Sequence, residues 1–244
     1  MARRIKFAVE EFYHVYNRGV DKRVIFIDDH DYHRAMLLFR LCNSETPVDI
    51  AESFFQGKTI DDLWNMDIGG PVIEIGAWCL MPNHFHLVIR EIQEGGISSF
   101  MHAFGAGYAT YFNNRYERSG SLFEGRFKAH HIEKDVHFQH LFSYVHLNPV
   151  KLVPGELEWK SEGVMSRVRV QELLDRYPYS SLTDYRFPNK RQEAGICKRT
   201  NFPWEVQPLL AMLDEAVAWS EEMIAQKQLS KKRKTGTPFS AADK

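Results

Sequence analysis

The apolar positions of this chain fall into a strand-like and a helix-like period that alternate along its first 150 or so residues. Tyr13-His14-Val15-Tyr16-Asn17-Arg18-Gly19 is rich in strand-favouring residues and closes on a turn-forming Asn and Gly, which predicts a first strand and its exit. After Asp28, Asp29 and Asp31 the spacing of Ala35, Leu37, Leu38 and Leu41 is helical, and an acidic cluster suits a helix N-terminus. That helix fades near Asn43. Two apolar runs, Val72 to Met81 and His84 to Ile89, are separated by the turn signal Pro82-Asn83 and predict paired strands. A long helical stretch follows from about Ile97 to Tyr116, then a loop at Arg118 to Ser121, then a segment from Leu122 to Ile132 that includes another strand. Asp135 is placed to cap a further helix, which Pro149 limits by disfavouring helical backbone at Asn148.

The order strand, helix, strand, strand, helix, strand, helix is that of a split βαβ pattern. The expected fold class is therefore α+β: a ferredoxin-like antiparallel sheet with helices on one face, over residues 1–153. Residues 44–70 interrupt this core. They hold six carboxylates against Lys58 alone, a net charge of −5, and read as an acidic insertion. Residues 154–226 form an extension expected to be mainly helical, with a turn at Arg176 to Ser181 and helical spacing from Leu209 to Met223. Residues 227–244, with Lys231-Lys232-Arg233-Lys234, read as a basic, disordered tail.

Composition sharpens this picture only by exclusion. The 244 residues are 44% hydrophobic and 26% charged, which excludes disordered, collagen-like and coiled-coil classes. Cys42, Cys79 and Cys197 lie far apart with no CxxC pair, so a disulfide framework and a zinc ribbon are not expected and a reducing cytoplasm is. The charged N-terminus lacks the apolar core of a secretory signal, and no run approaches membrane-spanning length, so a soluble, cytoplasmic protein without a membrane partner is expected. With 31 basic and 32 acidic side chains the net charge is −1 and advertises no nucleic-acid partner, but without the insertion the rest of the chain carries +4.

The chemistry concentrates in two short runs. In Met81-Pro82-Asn83-His84-Phe85-His86-Leu87, strand alternation points His84 and His86 to one face and Phe85 to the other. Two imidazoles on one face take a divalent metal when a third ligand arrives from another element, and the same spacing also suits a structural histidine pair. There is no HExxH, and the Leu-Val-Ile after His86 lacks the continuations of metallo-β-lactamase and histidine-triad sites. In Tyr144-Val-His-Leu-Asn148-Pro149, Tyr144 and Asn148 stand four residues apart and share a helical face, as a hydroxyl nucleophile beside an amide oxygen or as an aromatic and a helix-ending Asn. His140, one turn earlier, is a candidate base. Tyr108, Tyr111 and Tyr116 compete for the nucleophile role, but none has Asn or Gln four residues later.

These runs, together with Gly107-Tyr-Ala-Thr-Tyr-Phe-Asn113, Arg118-Ser-Gly-Ser-Leu-Phe-Glu-Gly-Arg-Phe-Lys128, Tyr13 to Gly19 and Val24 to Asp29, resemble the single-tyrosine HUH transposases, and among them the REP-associated tyrosine transposases. The resemblance covers about residues 10–153 apart from the insertion. It implies a metal-dependent endonuclease and strand transferase acting on single-stranded DNA beside a hairpin or palindromic repeat. His84 and His86 would be metal ligands for Mg²⁺ or Mn²⁺, Asn148 the third ligand and Tyr144 the nucleophile that forms a 5′-phosphotyrosine. Family members often carry Gln where this chain has Asn148, one methylene shorter. Arg18, Lys22, Arg23, Arg115, Arg118, Arg126 and Lys128 are candidate phosphate contacts, and Phe123 and Phe127 candidates for stacking on bases or for the core. Relatives of this kind often work as dimers, while a chain with long additions also suits a monomer. Rival readings are a domesticated DNA-binding protein without cleavage, against which all ligand-type residues are present, and an HUH replication initiator or relaxase, against which the compact single-tyrosine helix speaks.

Overall fold

In the computed structural model four strands, β1 (Phe12–Arg18), β2 (Ile73–Met81), β3 (His84–Glu91) and β4 (Lys128–His131), form one antiparallel sheet in the order β2-β3-β1-β4. The structure describes residues 5–46, 48–133, 135–153, 167–202, 211–212 and 214. The order is the one the split βαβ pattern implies. Tyr16 lies opposite His86 on one side and Lys128 on the other, and Arg18 opposite His84, so β1 carries its even-numbered side chains onto the face of the two histidines.

Helix α1 (Asp29–Leu41) starts where the acidic cluster places it. Asp28 caps it, accepting from the backbone N–H groups of His30 and Asp31 at 3.1 and 3.3 Å. Two short helices, α2 (Ile50–Phe55) and α3 (Ile60–Asn65), make up much of the acidic insertion. Helix α4 (Gly96–Arg115) begins after a left-handed Gly95, and a Cβ on Gly96 would meet the Val72 carbonyl oxygen at 2.3 Å. The buried Glu91 carboxylate accepts from the N–H groups of Gly95 and Ile97, a side-chain cap delivered from the end of β3. Helix α5 spans Asp135–His146 and so begins at the residue expected to cap it.

The helices do not all share one face. Phe85, Leu87 and Ile89 pack with Ile75, Trp78 and Leu80 against α1 and α4, through Leu38, Phe39, Phe100 and Phe104. Val88, Ala77, Cys79 and Met81 point the other way and pack against Phe138, Phe142 and Val145 of α5. The sheet with α1 and α4 on one face is the α+β arrangement expected, and α5 adds cover on the other face. β2 is buried along its whole length, and a strand apolar on both faces needs an element on each.

A buried carboxylate ties α1 to α4. Asp31, with no exposed side-chain surface, accepts from the Ile27 N–H at 2.8 Å, from the Tyr111 and Tyr116 hydroxyls at 3.0 and 2.9 Å, and from Arg115 at 2.8 Å. Arg115 also reaches Asp28. The insertion has its own small core, where Leu63 packs on Leu37 and Leu41 of α1. Asn43 clamps its base: the amide oxygen accepts from the N–H groups of Val72 and Ile73, and the amide nitrogen donates to the Ile73 carbonyl, each at 3.0 Å.

The described part of the extension includes helices Arg167–Arg176 and Leu182–Arg186 and joins the same core through Val170, Leu174, Tyr177, Leu182 and Tyr185. It runs beside β2, where Leu80 N–H donates to the Tyr179 carbonyl at 2.9 Å, Ser181 N–H to Trp78 at 3.0 Å and Lys198 N–H to Ile75 at 2.9 Å. The helical spacing of Leu209 to Met223 and the basic tail fall almost wholly outside the described residues. Among those residues no helix is long and apolar enough to cross a membrane.

His146, on the last turn of α5, is fully buried and pairs with Ser181 Oγ at 2.7 Å, so it fastens the extension to the core. Burial brings its pKa down to about 3, with the Phe142 carbonyl working against that fall. The unfolded chain therefore takes this proton near pH 6.5 and the folded chain near 3, so the group contributes stability above 6.5 that is lost as pH falls towards 3. Urea midpoints measured across this range are expected to drop with acid, and His146→Gln, which takes no proton there, is expected to flatten the decline.

Candidate active site

Strand alternation delivers the two histidines as the sequence predicts. His84 and His86 sit on one face of β3 with ring centroids 5.0 Å apart and planes at 89°. Each ring is held at Nδ1. The His84 Nδ1 lies 2.6 Å from Asn83 Oδ1, and the Asn83 amide nitrogen donates to the Lys22 carbonyl at 3.1 Å, which fixes Oδ1 as the acceptor and His84 Nδ1 as the donor. His86 Nδ1 lies 2.9 Å from Nε2 of His14 on β1, the two rings being stacked at 18°.

Helix α5 brings Tyr144 to the same place. Its ring is 5.4 Å from that of His86 and 6.0 Å from that of His14, nearly perpendicular to both. Burial raises its pKa above the ordinary phenol value of 10.0, while a hydrogen bond with the Asn148 side chain works in the opposite direction. His84, His86 and Tyr144 line one cavity of about 290 Å³, together with Tyr16, Asn17, Arg18, Asn83, Glu124, Lys128 and Lys151. Three cations against one carboxylate make its wall basic, whatever the balance of the whole chain.

Asn148 is not itself a lining residue but touches two that are, Tyr144 and Lys151. The α-helix ends at His146, and Asn148 opens a 3₁₀ turn, Asn148–Leu152, that Pro149 begins to redirect. The side chain is fully buried, donates to the Tyr144 carbonyl at 2.9 Å and has Lys151 Nζ 3.4 Å from Oδ1. It is therefore tied to Tyr144, as the spacing predicts, both through the main chain and through the hydrogen bond with the Tyr144 side chain. Among the described residues no group of three His, Cys, Asp or Glu side chains is placed to hold a metal.

The competing tyrosines are spoken for. Tyr108 is fully buried and donates to the Ile25 carbonyl, and the Tyr111 and Tyr116 hydroxyls both donate to Asp31. His140 is not part of the cavity wall.

The basic candidates divide in the same way. Arg18 and Lys128 line the cavity, Arg18 with Nε and Nη2 on Glu124 at 2.8 and 3.0 Å and Lys128 with Nζ 5.9 Å from the Tyr16 ring. Lys22 and Arg126 are exposed, and Arg23 is half-buried. Arg115 belongs to the Asp28 and Asp31 network, and Arg118 donates to Asn113 Oδ1 at 2.6 Å with its guanidinium over Phe112. These two brace α4. Phe123 is a core residue, and Phe127 packs on Phe7 with centroids 6.1 Å apart.

Residues 70–148 match the family model described as "Transposase IS200 like". A solved structure described as a REP-associated tyrosine transposase bound to a REP hairpin is similar to this chain with a TM-score of 0.47 and 13% identity, over 85% of this chain and 99% of that one. No curated protein matches.

Proposed function

We propose, on the premise that residues 70–148 belong to the IS200-like transposase family, that this chain cuts and transfers single-stranded DNA beside a hairpin or palindromic repeat through Tyr144. The observation that carries the reading is the meeting of Tyr144 with His84 and His86 in one basic cavity.

The donor set suits a divalent ion. An imidazole whose Nδ1–H is given to an oxygen carries its lone pair on Nε2, which is the state His84 takes against Asn83. His84 and His86 would hold Mg²⁺ or Mn²⁺ through Nε2, with the Asn148 amide oxygen completing the set. When bound, the ion supplies Lewis-acid withdrawal of charge from a non-bridging oxygen of the scissile phosphate.

The chain's own residues do the rest. Tyr144 Oη attacks phosphorus, the bond to the 3′-oxygen breaks, and the 5′-phosphate stays on the tyrosine as a diester. Because that bond keeps the phosphodiester's energy, a returning 3′-hydroxyl reseals or transfers the strand without a nucleotide cofactor. Arg18, Lys22, Arg23, Arg126 and Lys128 hold flanking phosphates, contacts that salt weakens. Arg115 and Arg118 support this surface from the protein side.

A 3′-labelled single-stranded hairpin oligonucleotide incubated with the protein and Mn²⁺ is expected to yield an adduct that survives detergent and does not form in EDTA. Binding without an adduct on any of a set of hairpins would overturn cleavage and leave a DNA-binding protein.

His14 has a defined task in this scheme. For His86 to ligate through Nε2 its Nδ1 must carry the proton, so His14 Nε2 must accept it. His14→Ala is expected to lower Mn²⁺ affinity by about 10- to 100-fold in titration calorimetry, the range typical of lost partners of metal ligands, while His14→Gln, which keeps an acceptor, loses less.

A further inference from the structure

Lys151 lines the cavity and has no part in the scheme above. It sits on the 3₁₀ turn directly after the nucleophile's helix, and Asn148, Pro149 and Val150 before it are buried, so the base of its side chain is fixed. Its Nζ lies 3.4 Å from Oδ1 of Asn148, whose amide nitrogen holds the Tyr144 carbonyl. The ammonium is thereby anchored on the nucleophile's side of the cavity.

The other two cations on the wall are differently committed. Arg18 makes a two-point contact with Glu124, which offsets its charge, and Lys128 lies on β4 beside Tyr16. Attack on a phosphodiester builds negative charge on the non-bridging oxygens and on the departing oxygen, and a preplaced cation lowers that barrier most where water is scarce. Lysine suits the task as a compact charge on a flexible stem that follows the phosphate.

We infer that Lys151 is a catalytic residue whose ammonium contacts the scissile phosphate on the side that Tyr144 attacks. The inference rests on the strand-transfer reading above. The Tyr144 Oη–P bond forms as the P–O3′ bond breaks, and the electron pair leaves with O3′. The tyrosyl proton goes to solvent and O3′ takes one from solvent, so Lys151 keeps its charge throughout.

The test uses the full chain, Mn²⁺ and a pool of 3′-labelled single-stranded hairpin oligonucleotides with randomised flanks. Lys151→Gln is expected to slow adduct formation by about 100-fold or more, in the range seen when one charge-stabilising donor is removed, with Mn²⁺ affinity by calorimetry unchanged. Lys151→Arg is expected to recover part of the rate, and Lys151→Met serves as second variant should the Gln protein fail to fold. Adduct formation at the wild-type rate in the folded neutral variants would overturn the inference. So would a parallel loss of Mn²⁺ affinity in them, which would make Lys151 a support for Asn148. Absence of any adduct with the wild-type chain would overturn the strand-transfer reading, and this inference with it.

Discussion

Tyr144→Phe is expected to reduce adduct formation to background while DNA binding and Mn²⁺ affinity stay within about threefold of wild type. The change removes one oxygen and leaves the ring, so the packing against His14 and His86 that positions α5 survives. Tyr108, Tyr111 and Tyr116 spend their hydroxyls on Ile25 and Asp31, while Tyr16 also lines the cavity with its hydroxyl 3.3 Å from His130 Nε2, so Tyr16→Phe, expected to keep the adduct, is the paired control. An adduct retained by Tyr144→Phe would remove Tyr144 from the mechanism. The same assay in the wild type carries a pH signature. Burial holds Tyr144 in the phenol form beyond its ordinary value of 10.0, so at neutral pH the reactive phenolate is scarce and each rise in pH increases it. Adduct formation at saturating Mn²⁺ is expected to accelerate with pH from 7 to 9.

Asp31→Ala is expected to be the most damaging change away from the cavity, at about 3 kcal/mol or more. Two half-buried hydroxyls, the Ile27 N–H and one arm of Arg115 would all lose their acceptor, and each hydrogen bond so lost typically costs about 1 kcal/mol or more. Arg115 keeps its contact with Asp28, which limits the loss. For a chain of this size the deficit corresponds to a fall in melting temperature of roughly 6–12 °C, readable by circular dichroism. A fall below about 2 °C would mean that the cluster contributes little. The expected size follows from geometry alone: one carboxylate holds the start of α1, the loop before it and the end of α4.

Much of this fold is legible in the chain because local signals and tertiary demands agree. The acidic cluster from Asp28 to Asp31, the Pro82-Asn83 turn and the apolar runs on either side of it all reappear as the start of α1 and the β2–β3 hairpin. The second face of the sheet was less legible, since a continuous apolar run such as β2 says that both faces are covered without saying by what. Within the site, His84 and His86 follow from alternation on β3 and Tyr144 from its motif. His14 and Tyr16 were readable by the same alternation, which puts His14, Tyr16 and Arg18 on one face of β1; what the chain does not state is the pairing that sets this face beside β3. Arg115 shows the same limit, since the carboxylates it pairs with lie more than eighty residues earlier in the chain and its own position does not name them.

The hydrogen bonds that the extension gives to β2 have a consequence for self-association. An outer strand with unpaired backbone groups is a template on which a second molecule can continue the sheet. Here Tyr179, Ser181 and Lys198 of the same chain already occupy part of that template. Two copies cannot merge their sheets along this stretch of β2 unless the extension first peels away, a step that would also uncover Leu174, Tyr177 and Leu182. The added residues thus act as an internal blocking partner along this stretch of the strand.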